Sequence, residues 1–142
     1  MIKLPPVEKV FEAWTAIVDG RVTLHDGYAD VASSDGSKGY VVRFDGDLYS
    51  SDDNATYWRG YPGYPVLAVM MLQGRLPFDG AEAGKWDNVN WKEINTRYKN
   101  NYKKAVEEVA ASRDINLDQS YIEAEKVMSA LNQTSVVIKR KI

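Results

Sequence analysis

The chain has 142 residues, 44% hydrophobic and 27% charged, with 20 acidic against 18 basic side chains, one histidine and no cysteine. Those figures exclude disulfides, thiol nucleophiles, zinc–thiolate and iron–sulfur centres, and with His25 alone any metal would depend on oxygen ligands, so neither a metal nor another cofactor is expected. A net charge of −2 supplies no global field for nucleic acid or an anionic membrane, and one hydrophobic core without staples is feasible at this length, so residues 1–142 are expected to form a single globular domain.

Lys3, Pro5, Pro6 and Glu8 interrupt the apolar residues of the first segment, which leaves no continuous core for a secretory leader. Nowhere do the roughly 18 consecutive apolar residues of a membrane span occur. The expectation is a cytoplasmic protein with no membrane partner. Pro6 suits a first helical turn, and Val7, Val10, Phe11, Trp14, Ile17 and Val18 recur at helical spacing until Asp19-Gly20 ends the helix.

Asp26-Gly27, Asp35-Gly36 and Asp45-Gly46 then punctuate runs of strand length at 21–25, 28–34, 37–44 and 47–51. Asp-Gly between β-rich runs is a strong hairpin signal, because both residues tolerate the positive φ of a tight primed turn. An antiparallel meander follows from this, with Tyr40, Val42 and Phe44 alternating against Val41 and Arg43. A doubled tripeptide, Gly60-Tyr61-Pro62 and Gly63-Tyr64-Pro65, reads as an ordered loop. Residues 65–73 read as a short buried helix, with a strand as the alternative. Residues 75–90 form a long connection, which is functional or mobile when it has no structure of its own.

From Trp91 the pattern is helical, with Trp91, Ile94, Tyr98, Tyr102, Ala105 and Val109 on one stripe, and a further helix is expected near Ser120, where Ser120 and Glu123 have capping-box spacing. Residues 134–142 return to β-branched types and are expected to add a terminal strand. The elements segregate by type, which predicts an α+β fold: a meander of three to five strands packed against an N-terminal helix, a short central helix and a C-terminal helical pair.

Nine of the 16 aromatic residues lie between Tyr57 and Tyr102. Tyrosine and tryptophan combine an apolar face with a polar tip, which suits a site that holds its ligand by stacking and one hydrogen bond. Tyr57, Trp58, Arg59, Tyr61 and Tyr64 from the Gly/Pro-rich loop, with Phe78 and Trp86 from the connection, are therefore the candidate ligand-binding residues. The opposing explanation is that these rings simply fill a core. The favoured function is a non-catalytic binding or interaction module for a small-molecule or peptide ligand.

Two alternatives come from other classes. Residues 85–142 carry eleven basic against eight acidic side chains, and the basic helix 92–104 interleaves lysine and arginine with Tyr98 and Tyr102, the combination a single-stranded nucleic acid requires. Glu107 and Glu108 continue that helix, so nucleic acid is the disfavoured partner. His25 with acids near 45–53 would allow a hydrolase-like enzyme, but no catalytic motif supports it, and neighbouring strand residues such as His25 and Asp26 point to opposite faces. A homodimer is expected if the stripe from Trp91 and the apolar run 66–72 exceed what one small sheet can cover.

Overall fold

The computed structural model describes residues 2–142. Its first helix, α1 (Lys9–Val18), buries Val10, Phe11, Ala13 and Trp14 and ends at Asp19. Four strands follow as a meander: β1 (Val22–Leu24), β2 (Tyr28–Ala32), β3 (Gly39–Asp45) and β4 (Leu48–Ser51). Each pairs antiparallel with the next. Asp45 faces Leu48 across the tightest connection, where Gly46 has φ +56°. A fifth strand, β5 (Val137–Ile138), pairs with β4 and completes the order β1-β2-β3-β4-β5. It runs parallel to β4, because the chain reaches this edge through a helical crossover and not through a hairpin. Of the strand expected over 134–142, only these two residues form regular ladder pairs. The fold is α+β, as the segregation of element types implies.

The run after the doubled tripeptide is a helix, α2 (Tyr64–Leu72), with Pro65 in its first turn. Residues Val66, Leu67, Ala68, Val69 and Met70 have no exposed surface. A helix apolar on every side belongs in an interior, and α2 lies between α1 and the sheet.

The connection 75–90 carries structure of its own. Asp79 accepts a hydrogen bond from the Glu82 amide at 3.0 Å and caps a single helical turn, α3 (Gly80–Ala83), which tightens into a 3-10 turn at Gly84–Trp86. Trp86 is thereby driven into the core, with its ring 4.6 Å from Phe11 and 6.1 Å from Trp91.

The helical stripe that starts at Trp91 is broken in two, α4 (Trp91–Arg97) and α5 (Tyr102–Arg113). Lys99 and Asn100 adopt left-handed φ of 53° and 63°, and Asn101 restarts the helix by accepting from the Lys104 amide at 3.3 Å. The last helix, α6 (Leu117–Asn132), starts earlier than the Ser120 spacing suggests, because Asn116 caps it at the Gln119 amide. Ser120 is buried instead, accepting from the Trp86 indole at 3.2 Å and donating to Glu82 at 2.5 Å. Residues 66–71 and Trp91, Ala105 and Val109, which prompted the expectation of a dimer, are buried within the chain, while Leu72 at the end of that run is 41% exposed. Among the described residues no helix is long and apolar enough to cross a membrane.

Candidate functional site

The N-terminal half of α1, the β2–β3 hairpin and α4 converge on a cavity of about 240 Å³. Glu12 enters it from α1, Tyr40 from β3, Tyr64 from the first turn of α2, and Asn95 from α4. Arg21 enters at the head of β1, where its amide bonds to the Ala16 carbonyl at 2.9 Å and its carbonyl accepts from the Ala32 amide at 3.0 Å. Its Nη1 donates back to the Ala32 carbonyl at 2.5 Å, which fixes the guanidinium against β2. The hairpin is tied to α4 by the Lys92 amide, which donates to the Ser34 hydroxyl at 3.0 Å, and by Lys92 Nζ, which reaches Ser37 Oγ at 2.8 Å. Tyr40 and Tyr64 meet edge to face, with ring centres 6.4 Å apart at 88°.

Most of the cavity wall is uncharged, and its charged residues are three cations, Arg21, Lys38 and Lys92, and one acid, Glu12. Glu12 is only 6% exposed and pairs with Lys9 Nζ at 3.0 Å. Burial works against the Lys9 charge, but Glu12 and the Tyr102 ring, 4.0 Å from the ammonium, outweigh it and hold the lysine pKa above its ordinary value. Lys92 faces Asp35 at 3.6 Å. Arg21 and Lys38, which also line the cavity, form no ion pair among the described residues. The Tyr64 phenol is pushed well above its usual pKa by burial, against the lowering effect of Arg21, and burial raises Tyr40 as well, so both rings stay neutral hydrogen-bonding groups.

Two polar atoms on this wall are buried without a hydrogen-bond partner among the described residues: Arg21 Nε, a donor, and Asn95 Oδ1, an acceptor. Asn95 is 8% exposed. An unpaired buried donor or acceptor costs about 1–3 kcal/mol, so native proteins seldom leave one in place. Both belong to residues that line the cavity, although the two atoms themselves present almost no surface to it. Other depressions are roomier: a groove beside Arg43, Tyr57 and Arg140 holds about 360 Å³ and is lined by no unpaired buried group, and one of about 250 Å³ lies beside Trp14, whose buried indole N–H also has no partner.

Residues 2–137 match the model of a family described as uncharacterised conserved protein UCP014422. The chain belongs to that family. No curated protein and no solved structure matches it. The matched span contains every residue of the cavity wall, from Glu12 to Asn100.

Of the seven candidate residues from the aromatic region, the structure brings only Tyr64 to this cavity. Tyr57 and Trp58 lie against each other at 4.7 Å under the Arg140 guanidinium, and Trp58 is 67% exposed. The Arg59 carbonyl accepts from Lys3 Nζ at 2.9 Å, and the same ammonium lies 5.8 Å from the Tyr61 ring. Phe78 is partly exposed beside Glu123 and Lys126, and Trp86 has no exposed surface. The loop and the connection therefore do not form one aromatic cleft. The loop is pinned from below by buried Asp53, which accepts from the Thr56 amide at 3.1 Å, while Thr56 Oγ1 accepts from the Gly63 amide at 2.9 Å.

The other candidate constellations are dispersed too. His25 bonds Asp30 at 2.9 Å and stacks on Tyr28, not on Asp26. Asp47 is taken by Arg75 and Ser135, and Asp53 by Ser51 and Thr56. Within 92–104, Lys92 belongs to the cavity, and Arg97 is paired with Glu108 at 2.8 Å. Among the described residues no group of three or more acidic or histidine side chains is placed to hold a metal ion. The wall residues that sequence reasoning missed carried one readable signal. Asn95 is a polar residue on the buried stripe, four after Trp91 and three before Tyr98.

Proposed function

We propose that the protein is a non-catalytic binding module that reversibly takes a small polar ligand bearing an anionic group into the cavity between α1, the β2–β3 hairpin and α4. The observation that carries this reading is the presence on one cavity wall of two cations, Arg21 and Lys38, that form no ion pair among the described residues. Arg21 and Lys38 without carboxylate partners supply the attraction for an anion, and the low dielectric of a partly enclosed site strengthens it. Ligand sites for drug-sized compounds span roughly 300–1,000 Å³. At about 240 Å³ this one suits a smaller molecule.

The test is a thermal-shift screen of small carboxylates, phosphates and sulfonates against the full chain, repeated with Arg21→Gln. A ligand at about 100 times its Kd stabilises the folded state by about 2.7 kcal/mol, a shift of several degrees at this size. The expected result is a rise in Tm with at least one anion class that Arg21→Gln abolishes. A flat response to every anion at millimolar concentration, or a response that Arg21→Gln leaves intact, would overturn the proposal.

A further inference from the structure

We propose that the open face of the sheet is a second binding surface, independent of the cavity, and that its occupant is a short stretch of single-stranded nucleic acid. Its phosphates lie on Arg43, Arg140 and Lys141 and its bases on Trp58 and Tyr28. The alternation of β2 and β3 assigns the two faces of the sheet. Ala29, Val31 and Val42 turn inward and are buried, while Tyr28, Asp30 and Arg43 turn outward and are exposed. Tyr28 is paired with Arg43 and Arg43 with Ser50, so these three form a row across the outer face. From Arg43 and Ser50 a groove of about 360 Å³ runs to Tyr57, Arg140 and Lys141.

The three cations of this groove form no ion pair among the described residues. Asp52 is the one acidic side chain on its wall, and its Oδ1 accepts from the Val41 amide at 2.9 Å. Aromatic faces flank the charge on both sides. The Arg140 guanidinium lies 5.1 Å from the Tyr57 ring centre and 5.3 Å from that of Trp58. The Trp58 indole is 67% exposed, whereas Trp14, Trp86 and Trp91 are each at most 3% exposed. On the other side Tyr28 stacks on His25 at 4.5 Å, and that histidine engages Asp30, the acid nearest to the row. Cations set between exposed rings match a single strand, which offers phosphates to the charges and unpaired bases to the rings. An acidic peptide uses the cations and leaves the rings unstacked, and a duplex keeps its bases inside. With a net charge of −2 the chain exerts no long-range pull on nucleic acid, so affinity depends on these contacts.

The experiment titrates the full chain into a fluorescein-labelled oligo(dT) dodecamer, whose bases do not pair with one another, and follows anisotropy. Three phosphate contacts predict a slope of about −2 in log K against log salt, roughly a twentyfold loss of affinity between about 50 and 200 mM. Unlabelled oligonucleotide is expected to quench Trp58, the one exposed indole, and Trp58→Ala to weaken binding at least about fivefold. Arg43→Gln combined with Arg140→Gln is expected to reduce the slope to about −0.7, while Lys103→Gln with Lys104→Gln, both on α5, leaves it unchanged. No binding at low salt, binding without quenching, or full affinity in Trp58→Ala would overturn the proposal. Oligoglutamate competing as well as the single strand would overturn it in favour of an acidic protein partner, and thymidine monophosphate binding equally well would overturn it in favour of a free nucleotide. A dependence on Lys103 and Lys104 in place of Arg43 and Arg140 would overturn it as well.

Discussion

Trp91 donates its indole N–H to the Thr15 hydroxyl at 2.8 Å, and that hydroxyl donates in turn to the Trp86 carbonyl at 2.5 Å. One buried oxygen thus fastens α4 and the 3-10 turn to α1, and with them the two helices that carry Asn95 and Glu12. Thr15→Val removes the oxygen with little change in volume and leaves a buried donor and a buried acceptor unpaired. The expected loss is about 3 kcal/mol, read as a fall in the urea midpoint at constant m. Thr15→Ser keeps the hydroxyl and is expected to cost about 1 kcal/mol for the lost methyl.

Gly63 and Gly60 occupy equivalent places in the doubled tripeptide but are required for different reasons. A Cβ on Gly63 would lie 2.1 Å from Asp53 Oδ2, while its φ of −73° is ordinary. A Cβ on Gly60 would meet nothing within 4 Å, but its φ is +74°. Gly63→Ala is therefore expected to lose about 2–3 kcal/mol by forcing the pinned Asp53 carboxylate to move. Gly60→Ala is expected to lose about 1–2 kcal/mol through backbone strain alone. On an Asp53→Ala background Gly63→Ala is expected to cost less than in the parent chain and Gly60→Ala the same, which thermal melts of the three single and two double variants would check.

Asp53 gives the chain an unusual response to acid. Burial pushes its carboxyl above the ordinary carboxylate value, against hydrogen bonds from Ser51 and Thr56 that favour the charged form. The folded state therefore binds this proton more tightly than the unfolded state, so the Asp53 contribution is fully present below the unfolded pKa and is lost as pH rises through the folded one. Asp47 acts in the opposite sense. Arg75 and Ser135 hold its pKa down, so its contribution is lost as pH falls. The stability of the parent chain relative to Asp53→Asn is expected to increase as pH is lowered from neutrality towards the carboxylate range. A difference independent of pH in urea titrations would contradict this.

What was legible in the sequence was local. The Asp-Gly pairs fix hairpins through the conformations of two adjacent residues, and Asp45 does face Leu48. The helix stop at Asp19-Gly20 and the alternation through Tyr40 and Val42 are of the same kind. Trp58 and Trp86 show where such reading ends. Both are aromatic residues in segments rich in turn formers, yet one is exposed and the other is buried because Phe11, far away in the chain, packs on it. The parallel direction of β5 depends on the path of three preceding helices. The cavity wall is drawn from α1, β1, β3, α2 and α4 and follows no motif spacing, so Asn95 on the buried stripe was its only local trace.

The break between α4 and α5 had no signal in the hydrophobic period, since Ile94, Tyr98, Tyr102 and Ala105 keep helical spacing across it. Polar residues with left-handed tolerance carried the information instead: Asn100 and Asn101 sit beside Lys99, and the Asn100 amide bonds back to the Asn95 carbonyl at 2.7 Å. Lys99 is the misfit among them. It is exposed at φ 53°, where a lysine gains nothing that a glycine would lack. Left-handed backbone strains an ordinary L-residue by about 1–2 kcal/mol, while glycine raises the entropy of the unfolded chain by roughly 0.5–1 kcal/mol, so Lys99→Gly is expected to stabilise the fold by about 0.5–1 kcal/mol. Asn100→Ala should do the reverse, because it keeps the strain and removes a side chain suited to that conformation. Since Asn100 also lines the cavity, its replacement is expected to weaken ligand binding as well, whereas Lys99→Gly leaves binding unchanged and raises only the melting temperature.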